Sequence, residues 1–581
     1  MHSRLIAAVI SLLLAAGLAG TTPAPQGDEA SAWAEKTLAG LTLEKKIAQI
    51  VCADVAGGYI ADDDPRLAAW IHQAHDLGLG MFVFYGGTPR DLARLLNRLQ
   101  KEAAIPLLIS ADFEGGPGQQ VTGASEYPAN MGFAAAGSED LVYRAAAAAA
   151  VEGRAMGVHL TYTPVSDIAW RPDNPAEGVR SFGGNLELTG RLLKAYVRGY
   201  HDNGMLTTAK HFPGRGDVEA MPQSPLWSWI SKPAEAVEEQ EFKAFRLAIE
   251  AGVDFVMSEH IAVPSVTGGS ELPASVEKKL ITDWLKDKLG FRGIVTSDDL
   301  WYDHVIKRFG PEEVAIKALE AGHDILLKPK DPAATIAAVA AAVRSGRLTE
   351  KRIEESARKL LILKARLELH KNRFVDESRI GEFVGIAEHA AIVQEAADKS
   401  VTLLKNDGLL PLLPGRTARM VNISVQKVDG DPAPAALAVK LAAAFPGTAS
   451  FALRPDLDPA YYDKVRAAVT GADVVILSLF TARNRLGEAA PFREGDLAFL
   501  NKIIAAKPGA VMAMTYGNPH LIRKIPGVAA YLIGYGERGW FGNQAVYFDS
   551  FIKILKGELK PRGRLPIRIS DAYPIGSGLT Y

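Results

Sequence analysis

Short apolar runs rich in Val, Ile and Leu recur along the first two-thirds of the chain, and between them apolar residues return every three or four positions. Eight such runs are read as strands: Ile47 to Val55, Met81 to Tyr85, Leu107 to Asp112, His159 to Asp167, Met205 to Phe212, Asp254 to Ile261, Gly293 to Leu300 and His323 to Leu327. Short continuous apolar runs bounded by polar residues fit strands buried on both faces. Between the second and third runs, Leu92, Leu95, Leu96 and Leu99 mark one helical face over Asp91 to Ala103. A later helix opens at Pro311 and closes at Gly322, Pro early and Gly late as helix ends prefer. Alternation of this kind, repeated eight times, predicts an α/β protein with a (β/α)8 TIM-type barrel.

The pattern then changes. A helical stretch from Lys351 to Leu369 leads through Lys371-Asn372-Arg373 into a connector ending near Ser400, and a second strand–helix alternation follows. Its strands are expected at Val401 to Leu404, Met420 to Val425, Ser450 to Leu453, Val474 to Phe480, Ala510 to Thr515 and Ala529 to Ile533, which suits an open three-layer α/β sandwich. The chain therefore divides into a barrel over residues 31–372, a linker over 373–399 and a C-terminal α/β sandwich over 400–581. Residues 1–20 read as a signal peptide, because His2 and Arg4 precede an apolar run from Leu5 to Leu18 and then small residues. Residues 21–30 form a leader. The run is too short for a ~30 Å hydrocarbon core, and no later stretch is a membrane span. Export to the periplasm or medium is expected.

Composition narrows the function. The 581 residues are 48% hydrophobic and 23% charged, and 65 Lys+Arg against 67 Asp+Glu leave a net charge of −2. An even balance without a basic block gives no footprint for nucleic acid. Cys52 is the single cysteine, so neither an intrachain disulfide nor a cysteine zinc site can form, and its apolar neighbours place it in a buried strand.

The polar residues of the predicted barrel strands gather at C-terminal ends: Asp112, Asp167, Lys210, His211, Glu259, His260, Asp298 and Asp299. In a β/α barrel those ends share one mouth. Carboxylates there can attack or protonate an acetal, and aromatic faces stack on sugar rings, so the expected partner is a carbohydrate substrate. No metal or cofactor is called for. Ser275-Val276-Glu277-Lys278 spells S-x-x-K, but the companion motifs of that chemistry are absent, and Ser275 reads as a helix N-cap. Trp227 and Trp229 suit either a sugar platform or a loop anchor.

Several stretches resemble glycoside hydrolase family 3, in that family's order: Leu41 to Gln49, Asp112-Phe113-Glu114-Gly115-Gly116, Arg180-Ser181-Phe182-Gly183, Lys210-His211-Phe212-Pro213-Gly214 and Gly293 to Leu300. Val401 to Gly408 and the closing Gly576 to Tyr581 resemble its second domain. The Lys-His-Phe-Pro-Gly and Ser-Asp-Asp-Leu runs are more similar to the β-N-acetylglucosaminidase branch than to the β-glucosidases, which usually carry Ser-Asp-Trp. The resemblance implies a retaining exo-β-N-acetylhexosaminidase with Asp298 as nucleophile, and Asp112, Arg180, Lys210 and His211 as groups that hydrogen-bond the sugar. An exo-β-glucosidase and a catalytically silent sugar-binding protein are the alternatives. One departure stands out. Where the branch carries an Asp-x-His acid/base dyad, this chain has Met221 and Gln223. The acid/base is then expected to be a carboxylate, Glu219 in the same loop, with Glu488 or Glu494 of the second domain next.

Overall fold

Thr42 accepts a hydrogen bond from the Lys45 backbone and so starts the helix Leu43–Gln49, which takes the first residues of the run expected to be strand from Ile47. A Thr cap followed by Leu43, Ile47 and Ala48 on one face favours helix until the chain turns into β1 (Val51–Ala56). The structure, a computed structural model, describes residues 26–171, 174, 177–218, 228–413, 419–426, 431–454, 457–481, 492–536 and 544–581. The signal-peptide region lies outside them. Among the described residues no helix is long and apolar enough to cross a membrane.

The remaining barrel strands are β2 (Met81–Tyr85), β3 (Leu108–Ala111), β4 (Leu160–Thr161), β5 (Leu206–Phe212), β6 (Phe255–Ser258), β7 (Ile294–Ser297) and β8 (Leu326–Leu327). They form one eight-stranded sheet in the order β8-β1-β2-β3-β4-β5-β6-β7. A parallel bridge between Thr296 and Ile325 brings the two edges together, so the sheet closes into a barrel. β4 is shorter than its apolar run because Pro164 has no N–H to extend the ladder. The run from Asp254 is interrupted after Ser258, and Ile261–Ala262 pairs instead with Ser228–Trp229. Cys52 is wholly buried in β1, and burial pushes its thiol up to about 12.

A second sheet comprises β9 (Thr402–Asn406), β10 (Met420–Gln426), β11 (Ala449–Leu453), β12 (Val474–Phe480), β13 (Val511–Tyr516) and β14 (Ala530–Gly534). Its order is β9-β14-β13-β12-β10-β11, parallel except for β9 against β14. The two units share core: Ala129, Met131, Ala135 and Val179 of the barrel side pack into the apolar cluster of the second sheet. Backbone bonds cross between them, from Ala129 N to Tyr535 O at 3.0 Å and from Gly184 N to Pro566 O at 2.9 Å. Gly183 makes that approach possible. At φ +103° it occupies backbone space unfavourable to other residues, and a Cβ there would lie 2.5 Å from the Pro566 carbonyl.

Candidate active site

Parallel strands bring their C-terminal ends to one mouth, and the charged groups found there come from six strands. Asp112 follows β3, Asp167 follows β4, Lys210 and His211 close β5, Glu259 follows β6, Asp298 and Asp299 follow β7, and Lys328 follows β8. Backbone carbonyls and amides end the ladders here, so side chains with charge can be held without breaking the sheet.

One network is built on Lys210. Its Nζ lies 2.7 Å from Asp112 Oδ1 and 2.7 Å from Glu114 Oε1. Glu114 also accepts from Arg180 Nε at 2.8 Å and Nη2 at 2.6 Å. Burial would raise the Glu114 carboxyl, but the Arg180 and Lys210 charges outweigh it and hold it at about 2. Burial likewise opposes the charge on Lys210, and Asp112 and Glu114 raise it above its ordinary value. Asp112 is the most open member, its side chain 18% exposed against 4% for Lys210 and 2% for Arg180.

A second network surrounds Asp298. Asp167 Oδ2 lies 2.7 Å from His211 Nδ1, and Asp167 Oδ1 accepts the Arg215 backbone N–H at 2.8 Å. Gly216, next in the chain, lies so close to the Ile168 carbonyl that a Cβ there would collide with it. This packs the Arg215 loop onto the loop after β4. The Arg215 guanidinium pairs with Glu259, with Nε at 2.6 Å from Oε2 and Nη2 also in contact, and the same Nη2 lies 3.2 Å from Asp298 Oδ2. The other Asp298 oxygen accepts the Asp299 backbone N–H at 2.7 Å. The nucleophile candidate is therefore gripped at both oxygens while its side chain stays 10% exposed.

Asp299 turns the other way. Its Oδ2 accepts from Trp301 Nε1 at 3.1 Å and pairs with Lys328 Nζ at 3.0 Å. Lys328 Nζ also sits 4.6 Å from the centre of the Tyr85 ring, a cation–π contact. Burial, reinforced by the neighbouring Asp298 charge, pushes the Asp299 carboxyl up to about 7 despite Lys328. Trp301 is 45% exposed, and Trp229 is 52% exposed.

Of the residues singled out from sequence, Asp112, Arg180, Lys210, His211 and Asp298 converge on this mouth. Glu219 and Glu488 lie outside the described residues, as does Trp227; Glu494 is described, at the start of helix Glu494–Ala506. Ser275 is not a helix N-cap: its hydroxyl lies 2.8 Å from His260 Nδ1, and the following helix has Lys278 at its cap with no side-chain bond. The second His260 nitrogen faces the Asp299 carbonyl at 3.0 Å, so that ring is a satisfied buried histidine. Glu114, Arg215 and Lys328 join the site in the structure without a role expected from the sequence. Each stands where a signal exists: Glu114 two residues beyond Asp112, Arg215 directly after the Lys210 to Gly214 motif, and Lys328 directly after the strand run His323 to Leu327.

Single ligand atoms of His211, Glu259 and Asp298 lie within 4.8 Å of one another, and the same holds for Asp167, Glu177 and His211. Arg215 and Arg180 stand among these carboxylates and neutralise them. The arrangement presents a carboxylate at the floor of the mouth and a cation–carboxylate pair beside it, a set able to attack an acetal carbon and grip hydroxyl groups.

A sequence profile of the glycosyl hydrolase family 3 N terminal domain matches residues 42–363. The chain is 32% identical over 408 residues to a beta-N-acetylglucosaminidase/beta-glucosidase of Cellulomonas fimi, covering 69% of this chain and 71% of that protein. It is similar to the solved structure of a family 3 beta-N-acetylglucosaminidase from Paenibacillus sp. str. FPU-7, with TM-score 0.80, 29% identity and coverage of 91% of this chain and 99% of the other. It is also similar to the beta-glucoside phosphorylase BglX bound to 2FGlc, with TM-score 0.83, 25% identity and coverage of 94% and 97%.

Proposed function

The chain belongs to glycosyl hydrolase family 3, and on that footing we propose that it is an exported retaining β-glycosidase that removes terminal N-acetylglucosamine from cell-wall or chitin-type glycans. Asp298 acts as nucleophile. It donates an electron pair to the anomeric carbon, the bond to the leaving oxygen breaks with its electron pair going to that oxygen, which takes a proton from the acid/base, and a glycosyl ester forms on the carboxylate. Lys210 and Asp112 receive sugar hydroxyl groups, with Arg180 and His211 beneath them. The observation that carries this reading is the grip on Asp298: both oxygens are held, one by a backbone N–H and one by a guanidinium, while the side chain still opens to the mouth. A carboxylate so fixed can meet C1 with little reorganisation.

The acid/base is a carboxylate, with Glu219 the leading candidate and Glu488 of the second domain the next. Glu259 does not serve, since it is fully buried, with Oε2 held by Arg215 and Oε1 by the His260 backbone N–H at 2.8 Å. Exo-β-glucosidase action is the second reading, favoured by the double name of the Cellulomonas fimi relative.

The test is a panel of aryl β-glycosides differing only in the sugar, run on the wild type and on Asp298→Asn, with and without inorganic phosphate. N-acetylglucosaminide turnover that falls by several orders of magnitude in Asp298→Asn supports the reading. Preference for glucosides moves the specificity, and sugar 1-phosphate in place of free sugar makes the acceptor phosphate, as the name of the BglX relative suggests. Turnover that survives Asp298→Asn, or no turnover of any glycoside by the wild type, overturns it. Glu219→Ala should cripple substrates with poor leaving groups while sparing nitrophenyl glycosides, with azide rescuing the second step as a β-glycosyl azide. Equal losses on both substrates would remove Glu219 from the role.

A further inference from the structure

We propose that Arg215 sets the balance between the two halves of the reaction by sharing its guanidinium between the nucleophile and Glu259; the proposal rests on Asp298 being that nucleophile. Arg215 and Glu259 have side chains only 3% and 0% exposed. They form a buried unit directly behind the reacting carboxylate, built from the loop after β5 and the end of β6.

The sharing is unequal. Glu259 takes the close contacts, from Nε at 2.6 Å and from Nη2, whereas Asp298 Oδ2 stands 3.2 Å from Nη2. A cation held tightly against a carboxylate stabilises its charge and so weakens it as a nucleophile. The same cation makes the carboxylate a better leaving group, because charge develops there again when the ester breaks. In the first step Asp298 forms a bond to C1, the C1–O bond to the aglycone breaks with its electron pair going to the leaving oxygen, which takes the acid/base proton or departs as nitrophenolate, and the charge on Asp298 is lost. Glu259 then keeps the guanidinium paired, so no lone buried charge is created. In the second step an acceptor oxygen bonds to C1, its proton passes to the acid/base, and the electron pair of the ester C1–O bond returns to Asp298 opposite Arg215.

Arg215 therefore slows the first step and speeds the second, and Glu259 decides how much of the guanidinium Asp298 feels. The position of Arg215 is fixed independently of substrate. Its backbone N–H is tied to Asp167 Oδ1 at 2.8 Å, and the chain beyond it is pressed against Ile168 at Gly216.

Removing either partner of a purely structural pair harms the enzyme in the same way, whereas here the two variants move the steps in opposite directions. Stopped-flow release of nitrophenolate from an activated aryl glycoside, on the full-length enzyme, reads both. In Arg215→Gln the second step should fall about tenfold or more relative to the first, the scale of one lost charge-assisted hydrogen bond. The burst should approach one equivalent per enzyme, and enzyme trapped with a fluorosugar should reactivate correspondingly slowly. In Glu259→Gln the guanidinium turns wholly to Asp298, so the first step should slow, the burst should vanish and trapped enzyme should reactivate faster than wild type. Arg215→Lys should recover most of the wild-type partition. If Arg215→Gln loses its near-ultraviolet circular dichroism, the double variant Arg215→Gln/Glu259→Gln, which leaves no lone charge, should show the same burst. Parallel changes in both single variants, or an unchanged burst in the folded arginine variant, would overturn the proposal. A fluorosugar label on a residue other than Asp298 would instead bring down the nucleophile assignment, and this proposal with it.

Discussion

Replacing Glu114 by Gln removes one negative charge and almost no volume from a site where two cations converge. Glu114 is 4% exposed and accepts from Arg180 twice and from Lys210 once, at 2.8, 2.6 and 2.7 Å. Its carboxyl is held at about 2 against an ordinary 4.5, a difference worth about 3 kcal/mol of native-state stability at ~1.4 kcal/mol per unit. Breaking a buried ion pair from one side costs a similar ~3 to 5 kcal/mol, so the two routes agree. The pH dependence follows from the direction of the shift. Because the folded value lies below the unfolded one, the unfolded chain binds more protons between pH 2 and 4.5, and this stability is complete above pH 4.5 and lost as pH falls towards 2. Urea denaturation followed by tryptophan fluorescence should therefore show Glu114→Gln about 3 kcal/mol less stable at pH 7, with the gap to wild type narrowing on acidification. A loss under ~1 kcal/mol at pH 7, or a gap that stays constant down to pH 2.5, would refute the argument that Glu114 is the anion on which Arg180 and Lys210 are organised.

Lys210→Ala should lower kcat/KM by about 10- to 150-fold, the equivalent of one charged hydrogen bond to substrate, and unchanged kinetics would leave the lysine a structural counter-ion only. Asp299 works in the opposite sense to Glu114: its folded value of about 7 lies above the ordinary 3.8, so the native state binds the extra proton and stability falls as pH rises through that interval. Asp299→Asn should flatten that part of the stability curve, and an identical slope in the variant would sink the reasoning. Trp301, 45% exposed and tied through Nε1 to Asp299, should stack on the leaving group; Trp301→Ala should raise KM for disaccharides more than for an alkyl glycoside, and equal changes on both would remove it from substrate contact.

Much of this architecture is legible in the chain itself. Met81 to Tyr85 and Val474 to Phe480 are strands with the bounds their apolar runs suggest, and the Leu92-Leu95-Leu96-Leu99 face lies in helix Pro89–Glu102 with all four leucines buried. Burial of apolar surface is a local pattern repeated at fixed period, so it can be read without knowing which elements meet. Capping and proline corrected the reading where they overrode that pattern, at Leu43–Gln49 and at Pro164. The site is different in kind. Strand-end positions and motif resemblance picked out Asp112, Lys210, His211 and Asp298, but said nothing of what each would touch. The partner of Asp112 lies 98 residues away, and Arg215 meets Glu259 and Asp298 across 44 and 83 residues. Such pairs have no sequence period, since charge acts through space and the distances are set by closure of the barrel and by the approach of loops at Gly216 and Gly183. The chain alone determined that charged residues would stand at the barrel mouth; only the closed barrel decided that a guanidinium would stand between Glu259 and Asp298, because a buried cation settles wherever the fold leaves carboxylates to answer it.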